Sequence, residues 1–573
     1  MLNLQFNQLL LLSDTTKMAN QFEFQKNYNL ITAKDNSVGK STLVKLLFWV
    51  FGCEPELDST WKNLDCKILL RFSIDNHKYE IYRYKEIVCL KLNNENFTKY
   101  LKVTGEYSET LAKLLGFKAI LPNRNTSVLE VPPPAYYFLP FYIDQKRSWS
   151  MAWNNFEKLE QYASWRSTII NYHVGLLTPE HFEYEQKIFT KKEEEKQISV
   201  EIDKLVTTME VVHSFTPESF KTLNVKKLDK IVNKAKDELS ELSKNQEQLL
   251  EKISYTESEK GYLEQQAIIT ENIIKELNAD YLFTIENIND DKIECPLCGV
   301  LHDNSIINRA SILTDRQQAE KQLFNLNNSL TKLSSELFKL KTDLENVRIS
   351  TKSLNLKYSV KDSVNDIPLE EIIDSFAVTS IQNKINEDKN DKILRTSTLE
   401  EDRKKLEKDQ KKILSEEYKI SINNTFFDTL STFVSLLDAE GINLSEIQKP
   451  SDYSKIIKEG GAAEGARGIL AYYLTIYSLV EKFGNEIKAP LVIDTPNQQE
   501  QSFTNYEKIV NLLTNHMLDN TQIIMCAMDN SQLNAFKNKA TIIHLDERKL
   551  LQSSMYKKVK EEFDKIIFNN ESD

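Results

Sequence analysis

Glycine and proline are almost missing from the middle of this sequence. Between residues 176 and 440 the only glycines are Gly261 and Gly299, and the only prolines are Pro179, Pro217, Pro296 and Pro368. A stretch so poor in turn formers, and rich in Lys, Glu, Leu, Asn and Ser, predicts long helices with mixed globular structure on either side. No run of 18 apolar residues is present, which excludes an ordinary membrane-spanning helix. The opening "MLNLQFNQLLLLSD" lacks the basic region and small-residue cleavage site of a signal peptide, so a soluble cytoplasmic protein is expected. Cysteine is sparse too, with six in 573 residues. Cys53, Cys66, Cys89 and Cys526 show no paired spacing and read as small core residues kept reduced. Positive charge is outnumbered, and the net charge of −12 excludes a histone-like wrap of nucleic acid. It leaves room for local basic clusters such as Lys221, Lys226, Lys227, Lys230, Lys234 and Lys236, which equally read as a solvated helix face.

What the middle does contain is a heptad pattern. Ala319, Leu323, Leu326, Leu330, Leu333, Leu337, Leu340, Leu344 and Val347 are spaced alternately four and three apart, which keeps one seam facing a partner helix. A weaker seam runs from Leu228 to Leu277 with polar residues Gln246, Thr256, Lys260 and Thr270 at seam positions. Thr178 and Pro179 mark a helix start. Interruptions are expected near residues 213–220 and 350–370. Arms from about 180 to about 420 have their midpoint near residue 300, where "CPLCG" supplies Cys295 and Cys298. Two antiparallel helices of about 100 residues would reach at most about 150 Å and would carry these cysteines at the tip.

The flanks hold two halves of a nucleotide site. "YNLITAKDNSVGKSTLVKLLFWVFG" reads as strand, loop and helix, and Gly39, Lys40, Ser41 and Thr42 form the core of a phosphate-binding loop that begins with Asp35, Asn36, Ser37 and Val38. Backbone N–H groups at a helix N-terminus cradle phosphates, Lys40 reaches the β and γ phosphates, and Ser41 ligates magnesium. Lys34 stands where the motif expects its first glycine. "APLVIDTPNQQEQ" supplies an apolar strand ending in Asp494, placed to hold magnesium through water.

This layout resembles the SMC and zinc-hook double-strand-break-repair ATPases of the ABC class. The resemblance implies an α/β ABC-type ATPase head assembled from N- and C-terminal segments, plus a long antiparallel coiled-coil hairpin with a zinc-hook apex. The expected divisions are 1–178 and 421–573 for the two halves of the head, 179–290 and 305–420 for the arms, and 291–304 for the hook. By resemblance, Gln145 in "LPFYIDQKRSW" matches the glutamine that contacts magnesium and the attacking water, completing a magnesium set with Ser41 and Asp494. In "EGGAAEGARGILAYYL", Glu464 and Arg467 line up with the family's signature, while Gly461, Ala462 and Ala463 replace its serine and two glycines. Family members close two heads so that each signature helix caps the γ-phosphate held by the other, and Gly461 weakens that expectation. Family ATPases place a catalytic glutamate after the aspartate, whereas this chain has Thr495. Gln498 or Glu500 would have to orient the water instead. The family's switch histidine is also absent from "IIMCAMDN". ATP binding with slow or stimulus-dependent hydrolysis is therefore expected.

"NSVGKST", "FYIDQ" and "IDTPNQQEQ" look more like the compact SMC-like subunits of bacterial anti-phage systems of the Lamassu type. The resemblance implies a homodimer that senses or clamps double-stranded DNA and controls a separately encoded effector, a nuclease, with ATP, magnesium and zinc as cofactors and no membrane partner. A repair ATPase and a structural tether with a degraded ATP site are the competing readings. The Cys-x-x-Cys pair admits a redox pair, a metal-free turn, a site completed by His302, or half of a zinc site whose other two thiolates come from a second copy. Its place at the middle of the hairpin favours the last.

Overall fold

The computed structural model describes residues 2–35, 38–58, 61, 63–93, 95–124, 126, 128–214, 236–286, 292–294, 301–303, 306–358, 369–439, 441–456, 462–497, 501–517, 521–545 and 550–570. The chain divides into two compact units, one made of 1–189 with 405–573 and the other of 190–404.

The first unit is built on two sheets. β1 (Leu4–Ser13), β2 (Met18–Glu23), β4 (Cys66–Ile74), β5 (His77–Tyr84), β6 (Ile87–Leu92) and β7 (Thr98–Tyr100) form an antiparallel sheet in the order β2-β1-β4-β5-β6-β7. β5 alternates in burial, with Tyr79, Ile81 and Arg83 facing inward, whereas β1 over Leu9–Ser13 and β4 over Ile68–Leu70 are buried on both faces, as central strands covered on two sides are. The second sheet takes its strands from both flanks of the sequence. β3 (Tyr28–Ala33), β10 (Tyr142–Ile143), β13 (Leu491–Asp494), β14 (Ile523–Met528) and β15 (Ala540–His544) run in the order β10-β13-β14-β3-β15, every pair parallel. β13 and the first five residues of β14 are fully buried, as the near-continuous apolar runs "LVID" and "IIMCA" require of central parallel strands. A two-residue pair, β8 (Leu121–Pro122) and β9 (Leu129–Glu130), lies apart.

Helices α1 (Lys40–Trp49), α2 (Glu106–Leu115) and α3 (Trp165–His173) come from the first flank. α8 (Glu416–Leu436), α9 (Ala462–Phe483), α10 (Phe503–Asn515) and α11 (Tyr556–Asn570) come from the second. Leu43, Leu46, Leu47 and Phe48 of α1 are buried in a core shared by both sheets and by α8, α9 and α10. Ser415 caps α8 by accepting from the Tyr418 N–H at 3.2 Å, and Glu416 and Glu417 follow in its first turn, an arrangement that suits the helix dipole. α11 covers the outer face of the first sheet through Val559, Phe563 and Ile566. Gln522 stitches the two flanks together, accepting from the Phe6 N–H and donating to the Phe6 carbonyl, both at 2.8 Å.

The second unit is helical: α4 (Pro179–Ser214) enters it, followed by α5 (Lys236–Glu286), α6 (Ile306–Tyr358) and α7 (Leu369–Lys412), which leaves it. The helix start expected at Pro179 is observed. All nine heptad positions from Ala319 to Val347 are buried or half-buried, so these segments fit a coiled coil. Lys341 pairs with Glu257 at 2.5 Å and Arg316 donates to Asn278 at 2.9 Å, making α5 and α6 antiparallel. Lys392–Glu201 at 2.6 Å and Arg403–Glu195 at 3.0 Å do the same for α4 and α7.

These two pairs lie side by side, which departs from the expected single hairpin of two interrupted arms. Ser258 on α5 donates to the Lys204 carbonyl on α4 at 2.9 Å, and Ser380 on α7 donates to Glu247 on α5 at 2.7 Å. Leu205, Val212, Leu250, Ile253, Leu337, Leu344, Ile381 and Ile385 form one core drawn from all four helices. The physical reason is that a four-helix core buries more of each helix than a two-helix seam does. The expected breaks allow it: α4 ends at Ser214 and α7 begins at Leu369, with residues 215–235 and 359–368 between the helices lying outside the described residues. The lysines from Lys221 to Lys234 fall there as well.

Between α5 and α6, β11 (Lys292–Glu294) pairs antiparallel with β12 (Leu301–Asp303), and Ile293 sits opposite His302. Cys295 and Cys298 lie outside the described residues, so the expected zinc hook is not seen. Among the described residues no group of three or more metal-ligating side chains occurs. No helix among them is long and apolar enough to cross a membrane.

Candidate functional site

The carboxyl ends of β3, β10 and β13 share one edge of the parallel sheet, the usual place for a ligand in an open α/β sheet. Each strand delivers one residue there. β3 runs into the phosphate-loop residues and α1, β10 into Gln145, and β13 ends on Asp494 itself. Gly39 precedes α1 with φ +99°, a left-handed conformation that side chains resist. A Cβ added there would also approach the Leu550 Cβ to 3.1 Å. Lys34 is not among the residues with positive φ, so lysine in place of the motif's first glycine introduces no backbone strain. Lys40 is buried and donates to the Asp35 carbonyl at 2.9 Å, folding its side chain back over the loop. Val38 is buried, while Ser41 and Thr42 are half-buried in the first turn of α1. Asn36 and Ser37 lie outside the described residues.

Ser41 is where the distant segments meet. Its Oγ lies 2.8 Å from Gln145 Oε1 and 2.9 Å from Asp494 Oδ1. One hydroxyl proton cannot serve both acceptors, so the cluster has more oxygen lone pairs than hydrogens to fill them. Asp494 is fully buried and its Oδ2 meets no protein donor. An oxygen-rich, donor-poor cluster holding a buried acid is what a small hard cation requires, and the residues expected to hold magnesium fit that ion. Burial pushes the Asp494 carboxyl up to about 6; the nearby Asp144 charge adds to this, and Ser41 and Lys45 oppose it. Burial likewise pulls the Lys40 ammonium below its ordinary value, against the pull of neighbouring acidic groups that include Asp494.

Several supporting residues were not foreseen. Lys45, one turn beyond Lys40, forms a buried ion pair with Asp144 at 3.3 Å, and Asp144 also accepts from the Tyr142 hydroxyl at 2.9 Å and from the Lys146 N–H at 2.9 Å. This fixes the bend that presents Gln145. The Trp149 indole donates to the Asp494 carbonyl at 3.4 Å. Cys526 of β14 points its Sγ at the Lys40 carbonyl, 3.7 Å away, and burial raises its thiol well above the ordinary range. Asp144 stands inside the motif that was read, but the pairing of Lys45 with it has no sequence signal.

Thr495 has φ +56°, a conformation that β-branched residues adopt only when held. Its N–H donates to the Cys526 carbonyl at 3.0 Å and its hydroxyl donates to Asp494 Oδ1 at 3.1 Å. Gln498 and Glu500 lie outside the described residues. At the end of β14 Met528 is exposed, and just beyond it Asp529 pairs with Lys537 and Asn530 caps a short 3₁₀ turn by accepting from the Leu533 N–H.

Of the signature residues, Gly461 lies outside the described residues and Ala462 opens α9. Glu464 accepts from the Gly441 N–H at 2.5 Å. Arg467 is buried and donates to the carbonyls of Leu437 at 2.7 Å and Asp438 at 2.8 Å, and to Gln501 Oε1 at 2.6 Å. Gln501 donates in turn to the Ala463 carbonyl at 2.8 Å. Arg467 thus ties the end of α8, the start of α9 and the segment after Asp494 into one block.

The chain resembles the Lamassu LmuB proteins. It is 25% identical over 555 residues to Lamassu protein LmuB of Bacillus cereus (strain VD014), covering 92% of each chain. Its identity to Lamassu protein LmuB of a Bacillus species (strain NIO-1130) is 23% over 523 residues, covering 88% of this chain and 90% of that one. No family model matches. Solved structures with a similar arrangement include an Smc head domain with a coiled coil and joint from Pyrococcus yayanosii, at 14% identity and TM-score 0.40, covering 98% of this chain and 100% of that one. Another is the recombination mediator RecF, at 11% identity and TM-score 0.26, covering 93% and 94%.

Proposed function

We propose that this chain is the ATP-binding, SMC-like subunit of a Lamassu-type anti-phage defence system. The observation that carries the reading is the meeting of Ser41, Gln145 and Asp494, drawn from three segments, at the start of the phosphate-loop helix. Ser41, Gln145 and Asp494 hold magnesium, Gly39 to Thr42 bind the phosphates, and Lys40 leaves the Asp35 carbonyl for the β and γ phosphates. Magnesium supplies charge neutralisation at the phosphate oxygens. Two ATP-bound heads join, DNA is sensed or clamped, and the change of state is passed to a separately encoded effector, a nuclease. Lys40→Ala weakens ATP binding by about 10- to 100-fold, the worth of a charged hydrogen bond to phosphate, and abolishes DNA-dependent pairing of the chains. Unchanged ATP affinity in that variant would refute the reading.

Turnover is slow in this scheme. Thr495 occupies the position of the missing glutamate and spends its hydroxyl on Asp494, so no general base adjoins the magnesium residues among the described residues, and Gln498 or Glu500 orients the water instead. Arg467, saturated by its own chain, acts as a brace. Both features also favour a second reading, a tether that binds ATP without turning it over. Phosphate release measured with linear, circular and supercoiled DNA separates the two readings, since only a DNA-responsive ATPase accelerates with any of them.

The β11–β12 pairing brings Glu294 opposite Leu301, the residues that flank the Cys-x-x-Cys stretch in sequence. In the proposed dimer two such stretches share one zinc through four thiolates. Replacing Cys295 and Cys298 together by serine then removes bound zinc, measured by metal analysis, and leaves ATP affinity intact. Stoichiometric zinc in the double variant would count against it.

A further inference from the structure

Away from the nucleotide residues, the first unit holds a cavity of about 440 Å³, within the size range of small-molecule sites. Three cations line it: Arg124, which follows β8, Arg166 in the first turn of α3, and Lys449, which precedes the turn Pro450–Lys455. Ser164, Ser167 and Ser451 add hydroxyl groups. No side chain caps α3, whose N-cap Ser164 has φ 49°, and Ser164, Trp165, Arg166 and Ser167 at this helix start all line the cavity.

The acids nearby do not balance these cations. Asp452 is committed to its own turn, accepting from the N–H groups of Gln448 at 3.0 Å and Lys449 at 3.2 Å and pairing with Lys455 at 3.3 Å. Among the described residues Glu160 is the one carboxylate paired with either arginine, and it is shared by both at 3.7 Å and 3.4 Å. Lys449 has no carboxylate partner among the described residues. Independently of the charges, two buried donors of residues lining the cavity, Trp165 Nε1 and Arg166 Nε, meet no protein acceptor, and Trp165 is 1% exposed. Buried N–H groups of this kind cost stability unless something accepts from them. The guanidinium of Arg166 lies over the Trp165 ring, 4.7 Å from its centroid, and the Arg124 backbone N–H donates to the Gln161 carbonyl at 3.0 Å.

We infer that this cavity is a second anion site, for the phosphate group of a small molecule, distinct from the ATP site. Converging cations around one concavity, rather than a stripe along a surface, favour a compact ligand over a nucleic-acid backbone. Inorganic pyrophosphate and AMP serve as probes, titrated calorimetrically into the full-length chain with the phosphate loop saturated by a non-hydrolysable ATP analogue and magnesium. One equivalent binds the wild type, and Arg124→Ser combined with Lys449→Ser weakens it by about tenfold or more. Both positions are exposed enough to be replaced without disturbing the fold, and unchanged affinity for the ATP analogue in the double variant confirms that. Equal affinities for the two probes assign the recognised element to phosphate alone, and tighter AMP binding assigns it to a nucleotide. Absence of probe binding to the wild type, or equal binding to the double variant, overturns the inference. So does a 20-base-pair duplex that responds to the double substitution when neither small probe binds.

Discussion

Asp494, the acid of the proposed magnesium site, is expected to leave a pH signature in stability. Its carboxyl is raised from 3.8 to about 6 in the folded chain. The folded chain therefore binds this proton more tightly than the unfolded chain does. The stabilisation is complete below about pH 4 and is lost as the pH rises through about 6, a span worth about 3 kcal/mol. Urea unfolding in EDTA should show this component in the wild type between pH 4.5 and 7.5, and Asp494→Asn should lack it. Saturating magnesium reverses the preference by binding the ionised carboxylate, so its affinity falls as the pH drops through about 6. Gly39 gives a second test. At φ +99° and facing Leu550, Gly39→Ala costs about 1–2 kcal/mol for the backbone alone, read from thermal unfolding without nucleotide.

Among the elements, the helices of the second unit show what a sequence reveals and what it conceals. The seam from Ala319 to Val347 was legible because a 3.5-residue period has one structural meaning. The doubling of four helices was not, because the same apolar positions serve a two-helix seam and a four-helix core. Gln246 makes the point: as a polar seam residue it was visible, but its partner Asp374 stands 128 positions away on another helix. Both are buried, and Arg348 approaches the same carboxylate at 3.7 Å. Gln246→Leu strips Asp374 of a buried donor and is expected to destabilise the helical unit by about 1–3 kcal/mol while leaving ATP affinity unchanged. The phosphate loop and the β13 aspartate were legible for the opposite reason, since both are short motifs dictated by the ligand. Lys45, Trp149 and Gln501 support them through long-range contacts that no local pattern encodes.

At the scale of the molecule, the parallel sheet mixes the origins of its strands: β13, β14 and β15 from the far flank are interleaved with β10 and β3 from the near one. β3 has both of its edges filled by late strands. Residues 1–189 produced alone are therefore expected to aggregate and to bind no ATP, and supplying 405–573 in trans should restore solubility, measured by gel filtration of the co-expressed segments. The same interleaving sets a clock in the cell. The phosphate loop leaves the ribosome some 450 residues before Asp494, which at about 5–20 residues per second is a wait of roughly 20–90 s. During that interval the nascent chain has a lysine for phosphate but no carboxylate for magnesium, and β3 stands without neighbours. Under the proposed function a chain truncated by premature termination is therefore expected to be silent, and only a completed one carries the whole site.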